Sequence, residues 1–204
     1  MFVQIAILGT GNVARTLARS WSAAGHEITF GSRDPASKDA LEAPVVASSP
    51  AIAWSDVVVN ATPGEVSLEF VQEIGAAEFE GKVLADVANA NTASFELVYP
   101  NSSLGEKLQE ALPGAKVVKT LNTAAMSVLT EPSTLPPSSV FVSGDDAAAK
   151  ATVVSLLADL GWPEESVVDL GGIRSARGPE HYAVMWAALM QSLGTPEFNI
   201  RLVK

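Results

Sequence analysis

Two short stretches near the start of the chain carry the chemistry from which its function can be read. The first is Gly9-Thr10-Gly11-Asn12-Val13-Ala14. It follows the apolar, β-branched run Phe2–Leu8 and leads into Val13, Leu17 and Trp21, which recur at four-residue spacing as one face of a helix does. Strand, glycine turn and helix in that order form the context in which a GxGxxA pattern holds a pyrophosphate. Gly9 permits the tight turn, Gly11 lets the backbone approach the phosphate oxygens, and Ala14 is small enough for helix and strand to pack. Free amides at the helix start, with the positive end of its dipole, favour the anion.

The second stretch is Gly31-Ser32-Arg33-Asp34-Pro35, with Lys38 one helical turn further on. It follows Glu27–Phe30, which reads as strand two after Gly25 ends the helix. A site preferring NAD usually places Asp or Glu here to bind the ribose hydroxyls, and that charge would repel a 2′-phosphate. A serine hydroxyl and a guanidinium fork attract one, which favours NADP over NAD. Asp34 is either a displaced ribose acid or the cap of a helix that Pro35 begins.

The elements that must position these residues alternate along the chain. Pro44–Ala47, Asp56–Ala61, Lys82–Val87 and Lys116–Thr120 read as strands. Between them, Ser49–Trp54 reads as a helix capped by Ser49, and Glu65–Ile74 and Ser102–Ala111 as two more. That rhythm predicts an α/β fold, a Rossmann-type doubly wound parallel sheet with its ligand beyond the carboxyl ends of the strands. The loops there are Gly9–Val13, Gly31–Asp34, Ala61–Gly64, Val87–Asn91 and Thr120–Thr123. For Thr62 and Asn122 the sequence leaves two readings, cofactor contact and ordinary turn chemistry.

The proline-rich stretch Thr130–Ser139 predicts a domain boundary, with residues 1–136 binding the nucleotide and 137–204 forming a small C-terminal α+β extension. In that extension Val140–Ser143 and Val167–Leu170 read as strands around a helix Asp145–Leu160 with an aspartate cap. A further helix runs to about Leu193, with Tyr182, Met185, Leu189 and Leu193 on one face, and Phe198–Val203 reads as a last strand. Trp186 and the methionines read as core or subunit interface rather than a ring-stacking platform.

Composition narrows the classes. The 204 residues are 48% hydrophobic and 18% charged, which allows a large core and argues against disorder. No run is long and apolar enough for a bilayer and the N-terminus lacks a signal-peptide pattern, so no membrane partner and a cytoplasmic protein are expected. Zero cysteines exclude disulfides and thiolate chemistry, and two histidines argue against a His-rich metal site. A formal charge of −10 argues against nucleic acid. An anionic cofactor then needs a local cationic cluster, and Arg15, Arg19, Arg33 and Lys38 gather near the fingerprint, with Arg33 the best placed.

Taken together, GTGNVA, GSRDP, the strand-end ATPG, KTLNT and the terminal DLGG…AR…E…FNI block resemble the F420-dependent NADP oxidoreductases, over nearly the whole chain. The resemblance implies a small, usually homodimeric protein that passes a hydride between NADP(H) and the deazaflavin coenzyme F420 or a flavin-like acceptor. It further implies that Thr10, Ser32, Arg33 and Lys38 hold the 2′-phosphate and that Gly9, Thr10, Gly11, Asn12 and Val13 hold the pyrophosphate. Ala61, Thr62 and Pro63, with Val87, Ala88 and Asn89, would flank the nicotinamide half. Family members run a continuous helix through an AR-x-L-E pattern; here Ala176-Arg177-Gly178-Pro179-Glu180 predicts a break or restart and a rebuilt acceptor pocket.

Hydride transfer between aligned rings asks little of acid–base side chains. If the acceptor needs a proton, His181 and Tyr182 are the available donors, although a place in a helix's first turn for His181 and on its apolar face for Tyr182 is the better account of both. Three readings stand: reduction of F420 or a flavin-like acceptor, NADPH-dependent reduction of a small imine or carbonyl, and a non-enzymatic NADP(H)-binding redox sensor.

Overall fold

Apolar strands with no polar face of their own must be covered on both sides, and here helices do so. The computed structural model describes residues 2–37 and 41–203. In chain order the first half runs β1 (Gln4–Leu8), α1 (Asn12–Ala23), β2 (Glu27–Ser32), β3 (Val45–Ala47), α2 (Ser48–Trp54), β4 (Val57–Asn60) and α3 (Gly64–Ile74). It continues with β5 (Val83–Asp86), α4 (Leu104–Ala111), β6 (Lys116–Lys119), α5 (Met126–Thr130), β7 (Val140–Val142), α6 (Ala147–Asp159), β8 (Val167–Asp169) and α7 (Arg177–Leu193).

Six strands form a parallel sheet in the order β3-β2-β1-β4-β5-β6. The chain winds outward from β1 in both directions, so the switch point lies between β1 and β4, the expected Rossmann-type arrangement. β7 and β8 form a separate parallel pair around α6, joined to β6 by an antiparallel bridge between Lys119 and Ser143.

Strand alternation divides the core. Val57 and Val59 join Ile5, Ile7, Leu17 and Trp21 on one face, where Leu129, Val153 and Leu157 complete the layer. Val58 joins Leu8, Ile52, Phe70, Phe79 and Leu108 on the other. The first layer ties early chain to late chain by polar contacts as well. Trp21 Nε1 donates to the Leu156 carbonyl at 3.1 Å, and His26 Nε2 lies 3.0 Å from Asp159 Oδ2.

Several local expectations shift. α2 begins at Ser48 with Ala47 at its cap, so Ser49 lies inside the first turn; Pro50 stays there too, where its missing N–H costs nothing. α6 is capped by Asp146, whose carboxylate accepts from the Ala149 amide at 2.8 Å, while Asp145 accepts from Ile173 N at 2.9 Å. Pro35–Ser37 make a 3-10 turn, and residues 38–40 after it lie outside the described residues.

Gly178-Pro179 restarts a helix rather than breaking one. A 3-10 turn at Ile173–Ala176 runs directly into α7, whose first turn contains both residues, where a proline has no intrahelical N–H bond to lose. Phe198–Val203 forms no strand: Ile200 O accepts from Ser139 N (2.8 Å) and Leu202 N donates to Ser139 Oγ (3.0 Å), which uses these groups without a ladder. Along α7, Trp186 stacks on Phe198 at 5.8 Å between ring centroids, whereas Met185 and Leu193 remain 53% and 57% exposed.

The layer under α1 is the test of this packing. Trp21→Ala removes a fully buried indole and leaves the Leu156 carbonyl without that donor. The expected loss of unfolding free energy is about 3–5 kcal/mol, read from the urea midpoint at unchanged slope.

Candidate functional site

Beyond the carboxyl ends of the six-stranded sheet opens a cleft of about 730 Å³. Every described residue among the sequence-derived cofactor positions lines it: Gly9 to Val13, Ser32 and Arg33, Ala61 to Pro63, Val87 to Asn89, and Asn122. Lys38 lies outside the described residues.

Its floor begins at the glycine turn. Gly9 has φ +108°, a left-handed conformation that side chains resist, and a Cβ there would sit 2.7 Å from the Ala61 carbonyl. Gly11 caps α1 with extended backbone and no side-chain hydrogen bond, and no acidic residue occupies the helix's first turn. A Cβ on Gly11 would meet nothing within 4 Å. The start of α1 thus borders the cleft at the positive end of its helix, where an anion is favoured.

One end of the cleft is built on β2. Ser32 Oγ accepts from the Asp34 amide at 3.1 Å, shaping the turn that carries Arg33. The Arg33 guanidinium stands 5.5 Å from the Phe70 ring centroid and 4.0 Å from Glu73 Oε2, with its side chain 70% exposed. The other cations near the fingerprint are engaged. Arg15 donates to Glu42 at 3.1 Å and Arg19 at 2.7 Å, and the Arg15 guanidinium, with Arg19, holds the Glu42 carboxyl down at about 2. Arg15 and Arg19 therefore face Glu42, and Arg33 is the arginine of that cluster lining the cleft.

The opposite end is made of paired loops. Gly64 packs so tightly on the backbone of Asn89 that a Cβ would overlap it, which presses the loop after β4 against the loop after β5. Asn89 and Asn122 form a reciprocal pair: Asn89 Nδ2 donates to the Asn122 carbonyl at 2.8 Å, and Asn122 Nδ2 to Asn89 Oδ1 at 2.9 Å. The Asn122 Oδ1 is buried with no protein partner. Leu121 beside it has φ +51°, a strained value for leucine that turns the chain sharply after β6. The Thr62 hydroxyl is turned inward, donating to Asn60 Oδ1 at 2.6 Å and lying 2.7 Å from Ser67 Oγ.

Sequence reasoning missed Val66, Phe70, Ala124 and Met126 in the lining. Val66 and Phe70 recur at helical spacing with Ile74, and apolar periodicity cannot distinguish a residue that only packs in the core from one that also borders a cleft. It also missed the buried charges behind the loops. Asn60, Asp86 and Lys119 stand in register across β4, β5 and β6. Each is the polar last residue of an apolar strand, and that repetition was the available signal.

The two weak proton-donor candidates lie outside the cleft lining. His181 Nε2 contacts the Ser102 carbonyl at 3.0 Å and that of Tyr99 at 3.3 Å, tying α7 to the loop before α4. The Tyr182 hydroxyl is buried without a hydrogen-bond partner, and burial pushes its pKa up. Arg177 forms a bidentate pair with Glu106, both bonds 2.7 Å, which explains that arginine as a clamp between α7 and α4. Among the described residues no group of acidic or histidine side chains is arranged to hold a metal, and no helix is long and apolar enough to cross a membrane.

Comparison with known proteins agrees with this geometry. Residues 4–90 match the family model described as NADP oxidoreductase, coenzyme F420-dependent. A crystal structure from Arthrobacter sp. FB24, described as a candidate F420-dependent NADP reductase, is 40% identical, covers 99% of this chain and 100% of that one, and superposes with a TM-score of 0.92. The rat metalloreductase STEAP3 is 28% identical over 87% of this chain, which spans 36% of the rat protein's length. An Aspergillus terreus imine reductase in complex with NADPH4 shares the fold, with a TM-score of 0.69 at 20% identity over 95% of this chain and 63% of that one. The full-length match to the Arthrobacter protein, together with the family-model match over residues 4–90, places this chain in the family of coenzyme F420-dependent NADP oxidoreductases.

Proposed function

We propose that the cleft holds NADP(H) and that the protein passes a hydride between NADPH and coenzyme F420 or a related flavin-like acceptor. The observation that carries the reading is the pairing of two anion sites on consecutive elements. The uncapped first turn of α1 suits the pyrophosphate, and Arg33 at the end of β2 suits a 2′-phosphate. With Glu42 occupying Arg15 and Arg19, Arg33 supplies local positive charge in a protein of net charge −10.

Bound NADPH supplies the hydride; the chain's residues bind, orient and shield. Gly9 to Val13 seat the pyrophosphate, Ser32 and Arg33 select the phosphorylated ribose, and Phe70 backs the guanidinium with its ring. Ala61 to Pro63, Val87 to Asn89 and Asn122 form the nicotinamide end, where alignment rather than proton transfer supplies most of the effect. The 40% identity to the Arthrobacter protein supports the deazaflavin acceptor. The exposed apolar side chains of α7, Val184, Met185 and Leu193, support a homodimer, with residues 137–204 contributing that face and the acceptor side.

Arg33→Ala is expected to weaken NADPH binding by about 1.5–3 kcal/mol, the range of a charge-assisted contact, while NADH affinity stays nearly constant. Calorimetric titration of both nucleotides checks this, and equal losses would remove Arg33 from the 2′-phosphate. The acceptor is tested by following the loss of the reduced nicotinamide's absorbance with F420, FMN and a simple cyclic imine in parallel. Turnover is expected with F420 foremost. Turnover confined to the imine would move the chain to imine reduction, and tight NADPH binding with none would make it a redox sensor.

A further inference from the structure

Glu180 sits in the first turn of α7 and is buried, although it lies outside the cleft lining. Its carboxylate accepts from the Leu104 amide at 2.7 Å and the Gly105 amide at 2.9 Å, and Oε1 lies 3.2 Å from Lys119 Nζ. Lys119, 0% exposed, donates in turn to Asp86 Oδ2 at 2.9 Å and to the Ala88 carbonyl. Asp86 Oδ1 accepts from the Ala88 amide at 3.2 Å and from Asn60 Nδ2 at 2.9 Å. Asn60 Oδ1 closes the series by accepting from the Thr62 hydroxyl and, at 3.3 Å, its amide. A single hydrogen-bonded chain thus runs from α7 across β6, β5 and β4 into both loops at the nicotinamide end.

Stability alone is a poor reason for such a chain. Desolvating three charges costs several kcal/mol each, and apolar side chains of similar volume often serve a core as well or better. What a fully bonded polar series provides is direction: each donor and acceptor has one good placement, and the backbone groups attached to it inherit that placement. Burial works to lower the pKa of Lys119, but the adjacent Asp86 and Glu180 carboxylates raise it on balance, so the ammonium persists across the working pH range.

We propose that Glu180 is a positioning residue which, through Lys119, Asp86 and Asn60, fixes the Ala61–Pro63 and Val87–Asn89 loops for the nicotinamide half of the cofactor. The role rests on the NADP reading above. It makes α7, the helix with the exposed apolar face, part of the geometry of the hydride-transferring end.

The test compares two nucleotides and three variants. Glu180→Gln is expected to bind NADPH about tenfold more weakly while binding 2′-phospho-ADP-ribose, which lacks the nicotinamide, as the parent protein does. Ser103→Ala is the control: its hydroxyl accepts from the Glu106 amide at the same end of α4 but is not part of the chain, so it should lower the melting temperature and leave both affinities in place. Asp86→Asn cuts the chain from its far side while leaving the Glu180 contacts to α4 intact, and should reproduce the selective loss even if Glu180→Gln fails to fold. Equal weakening of both nucleotides, no weakening of either, or a matching loss in Ser103→Ala would each overturn the role. A parent protein that binds 2′-phospho-ADP-ribose and NADPH normally locates such a failure in the positioning role alone; one that binds neither overturns the cofactor reading and this inference together.

Discussion

A parallel sheet sheathed by helices has no exposed face, so its polar chemistry must sit where strands end. Here β1, β2, β4, β5 and β6 finish nearly in line: Leu8 pairs with Gly31 and Asn60, Asn60 with Asp86, and Asp86 with Lys119. Burial of every preceding residue on β4 fixes the register, because a slip of one position would turn Val57 and Val59 out of their layer. The loops that follow therefore open at a common height, and the cleft is the space between them. Cofactor geometry in this protein is a consequence of hydrophobic register.

Charge is arranged on the same frame. An acidic protein repels a polyanionic nucleotide at long range, so attraction has to be local and directional. Among the described residues of the cleft lining, the groups suited to that are the backbone amides at the start of α1 and the Arg33 guanidinium at the end of β2. The pairing of Arg15 and Arg19 with Glu42 keeps two further cations pointed at a carboxylate beside the cleft rather than into it. Among the described residues of the cleft lining, Arg33 is the cationic side chain, and the Phe70 ring backs it.

The nucleotide end was legible in the sequence because its determinants are local. Gly9 to Ala14 and Gly31 to Arg33 are contiguous, and the alternation of elements around them identifies the sheet. The cap of α6 falls one residue from Asp145, at Asp146, since neighbouring aspartates satisfy the same rule and tertiary contacts choose between them; that of α2 falls two residues before Ser49, on Ala47, with no side-chain bond. The final strand read at Phe198–Val203 failed because its partners lie in the irregular Ser138–Ser139 segment, which offers side-chain and isolated backbone contacts instead of a ladder. Glu180 was illegible as a partner of Lys119 because the pair joins segments far apart in the chain, and nothing local distinguishes it from a glutamate in a helix's first turn.

The bond between Trp21 and the Leu156 carbonyl spans 135 residues. During synthesis the Trp21 indole lacks this acceptor until α6 has left the ribosome, even though β1, α1 and β2 precede α6 by more than a hundred residues. The dinucleotide turn and its helix are thus made early and completed late, a non-local closure that slows folding and leaves the nascent chain open to aggregation.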